Sequence, residues 1–154
     1  MRTPASIRRH PIHPMLVPFP IGLWVFSLVC DLIFAFGAPS LVWKTVALYS
    51  MAGGIIGALA AAVPGLIDLL SLPPEPRRTA IIHMSLNLTI VVLFAINFWW
   101  RISEGTGARA AIGPVWLSIV AIALLLVSGW LGGKLVFEGG VAVDTESLGP
   151  GPRT

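Results

Sequence analysis

Three imidazoles are the side chains of this sequence best suited to chemistry. His10 and His13 stand in the stretch "RRHPIHPMLVPFPIGLW", directly before a long apolar run, and His83 lies in a second such run. Imidazoles with a nearby carboxylate bind haem iron or a transition metal. Bis-imidazole haem ligation needs two histidines from different helices on opposite faces of the ring, and His13 with His83 is the pair that qualifies. A transition metal held by His10, His13, His83 and Asp68 follows similar ligand logic. Asp68 is also the carboxylate available to accept the second N–H of a ligating His83, which would orient the ring. Phosphate-binding loops, zinc-type Cys/His arrays and nucleophile motifs are missing from the sequence, so it points to a binding or electron-transfer component rather than an enzyme acting on its own.

The elements that must position these groups follow from composition. Of the 154 residues, 56% are hydrophobic and only 11% charged, with mean hydropathy +0.87. A soluble domain carries about 25% charged residues, so this chain cannot cover itself with polar groups. Four apolar segments, at about 15–36, 43–70, 79–100 and 112–137, are each long enough for a ~30 Å hydrocarbon core. Lipid requires every backbone group to be satisfied within its segment, so these are helices and not strands. The expected architecture is all-α: an integral membrane four-helix bundle, antiparallel and up-down-up-down, spanning residues 15–137. An N-terminal arm (1–14) precedes it and a Gly/Pro-rich tail (138–154) follows it. The first segment is read as a retained helix and not a signal peptide, because its apolar run exceeds the usual ~7–15 residues.

Lys and Arg set the orientation. Arg2, Arg8, Arg9, Arg77, Arg78, Lys134 and Arg153 lie on one side, and Lys44, Arg101 and Arg109 on the other. An excess of seven over three puts both termini in the cytoplasm. His10, His13, Asp68, His83, Lys134 and Glu138 then converge on the cytoplasmic mouth of the bundle. The basic residues are scattered and have no aromatic interleaving, so nucleic acid is not an expected partner. The lipid bilayer is, with a redox partner protein and a homodimer as further expectations.

Each polar feature also has a plain structural reading. His10, outside the helix and beside Arg9, reads as solvated. A His83–Asp68 contact tying two helices would make the protein a non-catalytic membrane subunit or scaffold. Asn87 glues helices or binds something, and Asn97 reads as glue; both share a helical face with His83, Phe94 and Arg101. Asp31, toward the outer end, snorkels or pairs with Lys44. Gly53, Gly57, Ala61 and Gly65 recur every four residues, a ridge that lets helices approach, and Gly129, Gly132 and Gly133 read as another packing face. Trp99, Trp100 and Trp130 are expected as interface anchors.

Together "HPIHPMLVPFPIGLWVFSLVCDL", "GLIDLL", "HMSLNL" and "SGWLGGKLVFEGGV" resemble the bacterial membrane family called domain of unknown function 2231, from His10 to Val143. The resemblance implies a four-helix protein of the bacterial inner membrane. Some members are joined to Rieske-type iron–sulfur domains, which implies electron transfer; the expectation of a haem b or metal cofactor rests on the histidines themselves. His13, Asp31, Asp68, His83 and Asn87 are the positions that match the family motif. Relatives often carry a histidine in a "V-x-x-HGV" ending where this chain has Gly139, so any ligand supplied from there is missing.

Overall fold

A computed structural model of the chain describes residues 3–37, 40–104 and 112–143. The segment 105–111, with Arg109, and the residues from 144 onward lie outside the described residues. The elements are β1 (Ser6–Ile7), β2 (His10–Pro11), α1 (Ile12–Leu16), α2 (Pro18–Phe36), α3 (Leu41–Ser71), α4 (Pro74–Glu104) and α5 (Ile112–Phe137). Four helical spans are long and apolar enough to cross a membrane: Ile12–Phe36, which joins α1 to α2, then α3, α4 and α5. The protein is an all-α four-helix membrane bundle.

Prolines decide where the helices begin. A first-turn proline loses no hydrogen bond, because that N–H has no intrahelical partner anyway. Pro18 and Pro20 open α2, and the bonds Val17 N–H to His13 O and Ile21 N–H to Val17 O carry the chain across the α1–α2 junction. Similarly α4 begins at Pro74, five residues before the expected Thr79, with Glu75 in its first turn. Read as loop, "PPEPRR" is a helix start, since an acidic first turn favours the positive end of the helix dipole. Ser40 caps α3, its hydroxyl accepting from the Val42 N–H at 3.4 Å.

Each helix buries one stripe and shows the rest. Trp24, Met51, Ile90, Phe94, Ala121 and Leu125 form the core. Ile56, Leu88, Leu126 and Trp130 are exposed, on faces that suit lipid and not water. Helices α2 and α4 each pack on both α3 and α5, so α2 and α4 lie on a diagonal and meet side chain to side chain along the bundle centre.

Those central contacts obey a rule. His13 meets His83 edge to face at 6.5 Å between ring centroids, Trp24 stacks on Phe94 at 4.3 Å, and Asp31 pairs with Arg101. In every case the partners are 70 residues apart. The hairpin α1–α2–α3 and the hairpin α4–α5 are therefore related by an approximate two-fold axis down the bundle, and these residues sit on it.

The N-terminal arm is folded. Ser6–Ile7 pairs antiparallel with His10–Pro11 through a two-residue turn at Arg8 and Arg9. Both arginines have positive φ, 48° and 71°. That backbone suits Asn-Gly, and it costs other residues about 1–2 kcal/mol each. The Ala5 N–H donates to Asp68 Oδ1 at 2.9 Å and the Ile12 N–H to the Ala5 carbonyl at 2.9 Å, which holds the hairpin on the end of α3.

Candidate functional site

The two imidazoles on the axis have matching seats. His13 Nδ1–H donates to the Ala61 carbonyl at 2.7 Å, and His83 Nδ1–H to the Ser128 carbonyl at 2.9 Å. Four residues after each acceptor stands a glycine. A Cβ on Gly65 would lie 2.8 Å from His13 Nδ1, and one on Gly132 would lie 3.2 Å from His83 Cε1. In an α-helix the carbonyl of residue i faces the N–H of residue i+4, so a glycine there clears the approach for a second donor. Pro64 aids the first seat, because its missing N–H and its ring loosen the preceding turn of α3.

The match extends outward along both hairpins. Fourteen residues after His13, Ser27 donates to the Ala47 carbonyl at 2.8 Å; fourteen after His83, Asn97 donates to the Pro114 carbonyl at 2.8 Å. Those acceptors in turn precede Ala61 and Ser128 by fourteen. Each hairpin thus repeats the same two cross-ties at the same spacing.

One feature breaks the symmetry. Asn87 Nδ2–H donates to His83 Nε2 at 3.0 Å, and the Ser128 hydroxyl donates to Asn87 Oδ1 at 2.8 Å. The equivalent of Asn87 in the first hairpin is Val17, and among the described residues His13 Nε2 has no protein partner. With both Nδ1 atoms committed as donors, Nε2 carries the lone pair on each ring.

The other end of the axis is a second polar centre. Arg101 grips Asp31 with two hydrogen bonds of 2.6 and 2.7 Å, and its Nε–H donates to Asn97 Oδ1 at 2.9 Å. Asn97 also donates to Ser118 Oγ at 2.8 Å. The expected snorkelling or Lys44 pairing of Asp31 is corrected: its partner is Arg101, while Lys44 Nζ sits 5.1 Å above the Phe34 ring. Bidentate geometry suits a planar guanidinium in a way a flexible ammonium cannot match.

From residue 9 to residue 145 the chain matches the family described as "Predicted membrane protein (DUF2231)". The chain belongs to this family. Neither a curated protein nor a solved structure shows a match to it.

Within this DUF2231 chain the expected four-ligand metal set does not assemble. Asp68 is spent on the Ala5 N–H, so the acceptor that orients His83 is Ser128 and not Asp68. His10 donates from Nδ1 to the Arg8 carbonyl at 3.0 Å and so locks the hairpin turn. Among the described residues no three His, Cys, Asp or Glu side chains are grouped to hold a metal ion. His13 and His83 do come together.

The glycine expectations divide. Gly53, Gly57 and Gly65 face Leu23, Pro20 and His13, and the adjacent Gly54 admits the Trp24 indole. Gly132 faces His83, but Gly129 and Gly133 have open space where a Cβ would go, so neither packs within the bundle. Residue-by-residue reading missed Ser27, Gly54, Ser118 and Ser128. Ser27 and Ser128 carry a signal in the doubled spacing of fourteen, which shows only after the two hairpins are aligned, at an offset of 70 between α2 and α4 and of 67 between α3 and α5; Gly54 and Ser118 stand outside it.

Proposed function

We propose that this DUF2231 protein is a haem b-binding electron-transfer component of the bacterial inner membrane, in which His13 and His83 would hold the haem iron. One observation carries the reading: the two imidazoles stand as equivalents across the bundle axis, each with Nδ1–H given to a backbone carbonyl. A ligating histidine usually donates its other ring N–H in this way, which fixes the tautomer and raises ligand basicity. Haem suits two protein ligands, because the porphyrin supplies the remaining four. A bare transition metal would want more donors than the two imidazoles offer. The resemblance to chains joined to Rieske-type domains supports electron transfer, with a redox partner protein on the cytoplasmic side where the charge count puts both termini.

A second reading rests on Asn87, whose N–H already satisfies His83 Nε2. It makes the pair a structural tie in a membrane scaffold. Haem titration into the purified protein separates the two. The haem reading expects saturation at one haem per chain and loss of binding in His13→Ala and in His83→Ala. It also expects Asn87→Ala to bind about fivefold tighter, since His83 no longer gives up a hydrogen bond worth roughly 1 kcal/mol. The scaffold reading expects no saturable binding and a less stable Asn87→Ala protein.

A further inference from the structure

The tip of the N-terminal hairpin does no work in the imidazole site, yet it keeps a strained backbone. We propose that Arg8 and Arg9 form a binding site for the phosphate headgroup of an anionic membrane phospholipid.

A two-residue turn with positive φ at both positions is normally built from Asn and Gly. Here it holds two adjacent guanidinium groups, at φ 48° and 71°. The tip is fixed from both sides: His10 Nδ1–H donates to the Arg8 carbonyl, and the base is held through Ala5 to Asp68. Among the described residues no carboxylate pairs with either arginine. Two adjacent guanidinium groups on a backbone fixed in this way supply charge-assisted donors for phosphate oxygens.

Position and neighbours favour a lipid over free phosphate. The membrane span begins at Ile12, three residues past Arg9, so the tip lies at headgroup depth. Ile7, directly before the arginines, is 65% exposed, and Met15 and Phe19 further along the chain are exposed as well. An apolar shoulder beside a cationic tip fits a phosphodiester that carries acyl chains.

The test uses the full chain in neutral detergent and follows its thermal midpoint. The probes are short-chain phosphatidylglycerol, short-chain phosphatidylcholine and inorganic phosphate. Arg8→Asn with Arg9→Gly is the informative double variant, because it removes both charges and relaxes the turn. Phosphatidylglycerol should stabilise the wild type where the other two probes do not. The double variant should match or exceed the wild-type midpoint without lipid, and should bind phosphatidylglycerol about 30-fold more weakly, near fivefold per lost charge. Arg8→Gln alone, which keeps Arg9, should lose about fivefold. Equal stabilisation of wild type and double variant by phosphatidylglycerol overturns the proposal. So does a wild type stabilised as well by inorganic phosphate, which would make the tip a general anion site, or one indifferent to phosphatidylglycerol.

Discussion

Asp31 and Arg101, 70 residues apart in sequence, close a two-pronged ion pair inside the bundle, with the aspartate 5% and the arginine 14% exposed. The positions are equivalents across the approximate two-fold axis, so the pair clamps one hairpin to the other at the end opposite the histidines. Removing one partner of a buried pair leaves an uncompensated charge and costs about 3–5 kcal/mol. Asp31→Asn and Arg101→Gln should each lower the thermal midpoint in detergent substantially. The charge-swapped double variant, Asp31→Arg with Arg101→Asp, should recover part of that loss. A swap no better than the single variants would count against equivalence of the two sites.

The glycines give a second, graded prediction. Gly65→Ala places a methyl group against the His13 ring and Gly132→Ala places one against His83, more loosely. Gly129→Ala and Gly133→Ala meet nothing within the bundle. Stability and haem affinity should fall in the first two, more for Gly65→Ala, and hold in the last two, where alanine is also the better helix former. Uniform effects across all four would mean that the imidazole seats are not close-packed.

Much of this was legible in the sequence. Four apolar runs at membrane length fixed the bundle, and the common end of His13 and His83 followed from their places at two helix starts. Partner choice was not legible. Asp68 and His83 lie at similar depth, but depth says nothing about azimuth, and Asp68 turns to a backbone N–H of the arm. Asp31 meets Arg101 and not the nearer Lys44 because the bundle diagonal, absent from any local pattern, brings α2 against α4. The hairpin in the arm was not legible because Arg-Arg is a poor turn sequence, and the hydrogen bond from Ala5 to Asp68 overrides that preference.

Asp68 should behave as an anchor for the arm and not as part of the histidine site. Asp68→Ala leaves the buried Ala5 N–H without its acceptor, and a hydrogen bond to a charged group is worth roughly 1.5–3 kcal/mol. Amide exchange at residues 5–12 should accelerate by about tenfold or more, while exchange in the middle of α4 stays as it was. Asp68→Asn keeps an acceptor oxygen and should change exchange less. A shift in haem affinity larger than the shift in arm exchange would restore Asp68 to the site.

Topology tests the sidedness on which the redox partner depends. Reporter fusions after Pro76 and at the C-terminus should read as cytoplasmic, and one at Gly107 as periplasmic. A periplasmic C-terminus would turn the histidine end outward and require a partner on that side.

The paired-imidazole ligation is tested most directly by one spectrum. The chain is expressed with ample iron and haem precursor, purified in mild detergent, and its dithionite-reduced minus oxidised absorption is recorded beside those of His13→Ala and His83→Ala. Two axial imidazoles predict sharp α and β bands of a low-spin haem b in the wild type. Both variants should lose these bands while remaining folded by circular dichroism. A colourless wild type, or a haem spectrum that survives both substitutions, would contradict the assignment of His13 and His83 as its ligands.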